Sequence, residues 1–512
     1  MSSQTPAHRR SILLVRPSRQ DFQLVGLYVG KVCVGLGLLQ LLPLVIALVL
    51  GEWNSASALA VGAATSMIVG LVAEIRLHTN RQLLWSHGLV TVAAAWLVGP
   101  MLVAIPFWLS GHWGSYLDAF FDAMSGLTTS GLALVQDLDH LPTSMNFLRH
   151  VTHFVGGQGI IIVVLTMFAA TSGVGTLYVG EGRDDRIVPN IIRTARFIYL
   201  VAGAWMVAGT TLLWVTGSIA GLDPGRAFFH AINLFMAAFD TGGFSPNSPS
   251  VAYYHSAGME AVIVVLMIAG TLSFGMHYEL WRGRRRVLIE HIETRALAVT
   301  GLLTIILALV GLGRAGAMDG VVPFLRKGVF TVVSAHTGTG FGVVNANLYS
   351  SEWGLIAPAA VVIAMALGGM ASSTAGGIKA IRVGLAAKST LRDIRSTLAP
   401  DAALVVASYR TRTRQVLNDG DVRAALTIIV LFLGTYLAGA VVGVFYGFPF
   451  DESLFESTSA TANVGLSTGI LAPDNPGPLK LTYIVQMWLG RLEFMSAFAL
   501  IGFVIALARG RE

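Results

Sequence analysis

The stretch "HTGTGFG", residues 336–342, places threonine and glycine between two long apolar runs. Unpaired backbone groups cannot face lipid, so such a segment inside a membrane chain must line water or be buried in protein. Working outward, "VPFLRKGVFTVVSAHTGTGF" (322–341) reads as a short helix followed by a polar turn. The same reading fits "YLDAFFDAMSGLTTSGL" (116–132), "GRAFFHAINLFMAAFDTGGF" (225–244) and "FDESLFESTSATANVGL" (450–466). Each short helix is expected to run about 11–14 residues, too short to span and typical of a re-entrant segment. Aligned on the glycine before Leu or Phe, the turns place Gly131, Gly243, Gly340 and Gly465 at separations of 112, 97 and 125 residues. The result is an internal repeat: span, short helix, polar glycine turn, span.

The composition agrees with a membrane setting. Of 512 residues, 54% are hydrophobic and only 12% are charged, about half the charge a soluble domain carries. Ten spans are expected, near 24–50, 56–75, 88–109, 147–170, 195–219, 257–280, 296–313, 354–381, 424–446 and 479–508. The fold class is thus an all-α polytopic membrane protein, with four pseudo-symmetric repeats around one pore plus two extra N-terminal spans. The divisions fall at 1–86 (the two extra spans), 87–172, 173–282, 283–395 and 396–512. The first apolar run is longer than a signal-peptide core and reads as a retained helix. With the N-terminus inside, the cytoplasmic segments hold 26 Lys and Arg and the outside segments 5, so both termini are expected in the cytoplasm. The single cysteine, Cys33, excludes a disulfide framework and a cysteine metal cluster.

Four glycine turns can close around one axis. Glycine tolerates positive φ, so carbonyls can point inward, and a ring of carbonyl oxygens replaces the hydration shell of a cation. The short helices aim their partially negative C-terminal ends at the same axis. Thr and Ser hydroxyls are available as further ligands.

Several local patterns together carry a family resemblance: "FVGGQGIIIV" (154–163), "FDTGGFS" (239–245), "HTGTGF" (336–341), "LGGMASSTAGGIKAIR" (367–382) and "GRLEFM" (490–495). The chain resembles the Trk/Ktr/HKT superfamily of potassium transporters over nearly its whole length, most closely the bacterial Trk-type membrane subunit. The resemblance implies a selectivity filter binding potassium at Thr129, Ser130 and Gly131, at Thr241, Gly242 and Gly243, at Gly338, Thr339 and Gly340, and at Asn463, Val464 and Gly465. Family members with Ser at the first filter glycine tend towards sodium, and glycine at all four positions here favours potassium. Asp240 and His336 depart from the pattern, either as hydrogen-bonded supports of their turns or as direct tuners of the ion.

"GGMASSTAGG" (368–377) interrupts a span with glycine pairs and small polar residues and must face a cavity; close helix packing is the plainer alternative. The resemblance makes Gly368, Gly369, Ser372, Ser373, Thr374, Gly376, Gly377 and Lys379 a gate beneath the filter. Arg491 lies inside the last span, where a charge is costly. Glu493, two residues on, points to another face, so Arg491 faces the pore or pairs with another helix. The resemblance puts it in the ion path.

The cytoplasmic arginine clusters fit anionic lipid or a partner. The resemblance implies a homodimer in the bacterial inner membrane, gated by a cytosolic nucleotide-binding ring of RCK type. No nucleic-acid partner and no cofactor are expected beyond potassium as substrate. The expected function is potassium uptake; passive flow, coupling to protons or sodium, and sodium permeation by the same architecture stay open. A membrane metalloenzyme is the remote alternative, because no His-Glu-x-x-His run exists and His150 and His153 have no acidic ligand nearby in sequence. A carrier built from two inverted halves fits four matched turns poorly.

Overall fold

The computed structural model describes residues 18–159 and 191–508, apart from 82, 318, 319, 401, 402 and 404. The chain begins with a helical hairpin, α1 (Arg19–Leu50) and α2 (Trp53–Arg76). Ser18 and Asp21 form a reciprocal capping box at its start, and Gly51 ends α1 at φ 72°. The two helices pack closely where a Cβ on Gly30 would lie 2.9 Å from the Gly70 carbonyl oxygen. Glu52, in the hairpin turn, accepts the N–H groups of Thr143 (2.8 Å) and Ser144 (3.0 Å). It thereby caps α5 (Thr143–Gln158), whose own preceding residue, Pro142, offers no side-chain cap.

The order long helix, short helix, turn, helix then occurs four times. The first set is α3 (Trp85–Leu109), α4 (Tyr116–Leu127) and α5. The second is α6 (Ile191–Ile219), α7 (Pro224–Phe239) and α8 (Ala257–Thr271), continued by α9 (Phe274–Trp281) and the short α10 (Arg286–Glu290). The third is α11 (Ile292–Ala315), α12 (Val321–His336), the single-turn α13 (Leu348–Ser351), α14 (Ile356–Ala366) and α15 (Ala380–Leu398). A small antiparallel hairpin, β1 (Ser408–Arg410) and β2 (Arg414–Val416), leads into the fourth: α16 (Asp419–Phe445), α17 (Phe450–Thr461), α18 (Gly477–Arg491) and α19 (Met495–Ala508).

The short helices α4, α7, α12 and α17 have 12, 16, 16 and 12 residues, so the middle pair exceeds the expected length. The C-terminal halves of all four are sheathed by their neighbours. The case is plainest in α17, where Ser453, Glu456, Ser457, Thr458, Ser459 and Thr461 are all fully buried. Such a helix cannot face lipid, and Ser457 is matched within the bundle: it donates to the Tyr436 carbonyl at 2.7 Å and accepts from Gln486 at 2.9 Å.

Six of the expected spans are continuous helices long and apolar enough to cross a bilayer: α1, α2, α3, α6, α11 and α16. The expected unbroken spans 257–280 and 479–508 are corrected by the structure. The first bends by 102° between α8 and α9, and the second by 113° between α18 and α19. Ser273 caps the second half of the former, and Glu493 (φ 50°) and Phe494 (φ 70°) turn the chain in the latter. These breaks are two or three residues long and rich in Leu and Phe, so hydropathy passes over them. The expected span 354–381 is the eleven-residue α14 followed by the loop 367–379 and the start of α15. Half of the expected span 147–170 and the end of "FVGGQGIIIV" lie outside the described residues, as do Arg9, Arg10 and Arg16 of the predicted cytoplasmic N-terminal segment.

Candidate ion pathway

The four turns that follow the short helices share one backbone course. The first residue keeps a negative φ, −77° at Thr128, −87° at Asp240, −76° at Thr337 and −82° at Ala462, and all but Asp240 stay right-handed helical. The second swings to positive φ, at Thr129 (55°), Thr241 (50°), Gly338 (71°) and Asn463 (54°). Three of these four are not glycine, a local strain of about 1–2 kcal/mol each. The N–H of the third residue returns to the carbonyl five positions back: Ser130 to Ser125 (2.8 Å), Gly242 to Ala237 (2.8 Å), Thr339 to Ser334 (2.9 Å) and Val464 to Ser459 (2.9 Å). This bond closes the helix end and leaves the carbonyls of the turn itself for other use. The fourth residue is glycine at positive φ in every case: Gly131 (77°), Gly243 (76°), Gly340 (87°) and Gly465 (102°).

These glycines close a ring. A Cβ on Gly131 would overlap the Gly242 carbonyl oxygen, one on Gly243 that of Thr339, and one on Gly340 that of Val464; a Cβ on Gly465 would lie 2.6 Å from the Ser130 oxygen. Each turn therefore presents its glycine to the third-residue carbonyl of the next, and the fourth turn returns to the first. All twelve residues expected at the filter come together here. Their hydroxyls chiefly hold the turns: Thr128 bonds Ser130 (2.8 Å) and Thr337 bonds Thr339 (2.8 Å). Asn463 donates to Ser130 Oγ at 2.8 Å and to the Met487 carbonyl at 3.0 Å, stitching the fourth turn to the first.

Asp240 and His336 each tie their turn to a neighbouring helix. Asp240 Oδ1 accepts from Gln158 at 2.6 Å, and His336 Nε2 meets Thr300 Oγ1 at 2.8 Å. Three glycines back the ring from behind. Cβ atoms on Gly156, Gly270 and Gly490 would overlap the carbonyl oxygens of Leu127, Phe239 and Thr461, the last residues of α4, α7 and α17. The closeness of helix to pore-helix end thus depends on glycine in three of the four sets.

On one face of the ring the loops open into a cavity of about 250 Å³, lined by Gly131, Gly243, Gly340, Gly465, Ser245, Asn345 and Ser467 among others. On the other face lies the loop 367–379. Leu367 and Ile378 pair across its neck, and Ser372 (φ 59°) and Gly377 (φ 67°) turn it back on itself. The loop reaches all four turns. Thr374 Oγ1 lies 3.1 Å from Thr241 Oγ1 and also donates to the carbonyls of Phe239 (3.1 Å) and Gly270 (2.9 Å). Gly376 packs under Gly338 and against the Ala462 carbonyl, where a Cβ would not fit. The first turn is reached through Arg491, which donates to Thr129 Oγ1 (3.1 Å), the Thr374 carbonyl (2.9 Å) and the Gly156 carbonyl (2.5 Å). Arg491 therefore bonds to the turn, the loop and α5 together, and its guanidinium also lies 5.4 Å from the Trp96 ring.

The remaining charged side chains below the ring have hydrogen-bond or ion-pair partners. Glu493 pairs with Arg382 of α15, a partner far from it in sequence. Lys379 is buried and donates to the Ala375 carbonyl. Glu293 accepts the Ala371 N–H at 2.7 Å. Between Trp96, Ser372, Ser373, Lys379, Arg491 and Glu493 only about 30 Å³ remains, room for roughly one water.

Two carboxylates escaped sequence reasoning. Asp122 of α4 accepts the Leu134 N–H at 2.5 Å, and Glu456 of α17 accepts the Thr468 N–H at 2.9 Å. Each acid precedes its ring glycine by the same interval, and each bonded N–H follows that glycine by the same interval. The signal was present in the aligned repeats, but Leu234 and Thr331 occupy the matching positions in the other two.

A pseudo-fourfold ring of backbone carbonyls at the ends of buried helices defines a protein that passes cations through a membrane. The comparisons give the particular family. Residues 56–508 match the family described as "TrkH: Cation transport protein", and the chain belongs to this family. It is 29% identical to an uncharacterized cation transporter of Methanocaldococcus jannaschii, covering 95% of this chain and 97% of that one. It is 28% identical to the Trk system potassium uptake protein TrkH of Halomonas elongata (83% of this chain, 86% of that one) and 27% identical to that of Escherichia coli (81% and 84%). Its fold matches the crystal structure of the potassium transporter TrkH from Vibrio parahaemolyticus with a TM-score of 0.80, over 94% of this chain and 98% of that one, at 22% identity. The family is one of transporters, and the chain is a transporter rather than an enzyme.

Proposed function

We propose that the protein takes up potassium across the bacterial inner membrane through the carbonyl ring. The observation that carries this is the cyclic contact of each ring glycine with the next turn's carbonyl. A closed set of fixed oxygens replaces a hydration shell at little reorganisation cost. The printed function of the Halomonas elongata and Escherichia coli relatives, potassium uptake, supports the choice of ion. Both termini lie in the cytoplasm, the cavity of Ser245 and Ser467 is the outer mouth, and the loop 367–379 is the inner gate, held shut through Arg491. A homodimer with a cytosolic nucleotide-binding ring that moves this loop completes the reading. This part of the proposal rests on resemblance.

Rubidium uptake into proteoliposomes under an imposed membrane potential tests the proposal. Competition by potassium and not by sodium is expected. Equal competition by sodium would favour a sodium-permeable member of the family, and absence of uptake with and without cytosolic extract would contradict the proposal.

A further inference from the structure

Asp122 and Glu456 are equivalent in position and in the backbone bond they accept, but not in charge balance. Asp122 has the buried guanidinium of Arg149 at 4.0 Å. Glu456 is fully buried, and among the described residues no cation lies within ion-pair distance of it. Lys480 of the adjacent α18 is engaged by Asp118 at 2.5 Å and by the Pro473 carbonyl. One carboxylate oxygen, Oε1, accepts from Ser467 Oγ, Thr468 N and Thr468 Oγ1, while Oε2 has no hydrogen-bond partner among the described residues. A buried carboxylate without a counter-charge is costly.

Ser467 supplies the link to the ion path. It lines the cavity at the mouth of the ring, beside Gly465. Its hydroxyl proton points to Glu456, so its oxygen lone pairs turn the other way. One lone pair takes the Gly469 N–H at 2.9 Å, and the other is left for the cavity. A hydroxyl that donates to a carboxylate is polarised and becomes a better cation ligand.

We propose that the transported cation at the mouth of the ring is the counter-charge of Glu456, delivered through Ser467, and that this carboxylate sets the affinity for the entering ion. Glu456 is a positioning residue: it acts behind the wall and does not touch the ion. The inference rests on the transport reading above and adds an affinity site in the fourth repeat alone.

The test is the potassium dependence of rubidium flux and of thermal unfolding for the detergent-solubilised protein, in native form and as Glu456→Gln. The amide keeps an acceptor for the Thr468 N–H and removes the charge. The half-saturating potassium concentration is expected to rise roughly tenfold, as for loss of a unit charge about 6 Å away at an effective dielectric of about 40, between a protein-surface pair and bulk water. The maximal rate is expected to change less. Stabilisation against heat by potassium is expected to need correspondingly more of the ion. Ser467→Ala, which keeps the carboxylate and cuts the link, is expected to give a smaller rise in the same direction, and it decides the matter alone if the glutamine variant does not fold. Unchanged potassium dependence in the folded variants would overturn the role of Glu456. A native protein that shows no potassium dependence in either measurement would instead overturn the transport reading.

Discussion

Gly340 lies so close to the Val464 carbonyl oxygen that a Cβ on the glycine would overlap it. The same relationship runs from Gly131 to Gly242 and from Gly243 to Thr339, and Gly465 returns to Ser130. Glycine therefore serves two needs at one position. It takes the positive φ that turns the chain, and it lets the next turn's carbonyl approach. Ala or Ser could meet the first need only at a strain of about 1–2 kcal/mol and could not meet the second without moving the carbonyl.

Removing the Thr374 hydroxyl should loosen the gate. Thr374→Val preserves shape and deletes a group that joins the loop to Thr241, Phe239 and Gly270. The buried acceptors left behind cost about 1–3 kcal/mol, borne by the shut state. Proteoliposomes without any cytosolic partner should leak rubidium several-fold faster than native, and unchanged basal flux would separate this hydroxyl from gating.

Arg491 should show a graded series. Arg491→Ala loses the bonds to Thr129, Thr374 and Gly156 together and should raise basal flux most. Arg491→Lys keeps the charge but cannot spread donors across three separate acceptors, so it should fall between alanine and native. If lysine were as tight as arginine, charge alone would be the barrier and the fork geometry would be irrelevant.

The Arg382–Glu493 pair ties α15, the helix leaving the gate loop, to the bend between α18 and α19. Both side chains are largely buried, at 14% and 15% exposure. Breaking such a pair from one side costs about 3–5 kcal/mol. Glu493→Gln and Arg382→Gln should each lower thermal stability in detergent, and the double variant should be less destabilised than the sum of the two. Strict additivity would mean that the pair carries no coupling.

The legible parts of this protein are those the chain repeats. Threonine and glycine recur after each short apolar helix because four turns need the same backbone course, so Gly131, Gly243, Gly340 and Gly465 could be aligned without a structure. The loop 367–379 was legible as a break in its span because its glycines and small polar residues are foreign to lipid. What stayed hidden depends on distance or on the breaking of symmetry. The partners of Arg491 come from α5, the first turn and the gate loop, far away in sequence. The bends at Leu272 and at Glu493–Phe494 are masked by apolar neighbours. Asp122 and Glu456 differ from the matching Leu234 and Thr331, so repeat alignment reads them as variation, whereas the structure gives them a shared bond to the loop segment beyond the ring.

The central claim is that the ring of carbonyls distinguishes ions, and ion competition in Gly340→Ser tests it most directly. Rubidium uptake would be measured in proteoliposomes for native protein and variant, with potassium or sodium as competitor. Displacing one carbonyl should forfeit about 1.4 kcal/mol of discrimination, or roughly tenfold, so sodium should compete with the variant and not with the native protein. Intact discrimination in a folded Gly340→Ser protein would contradict the account.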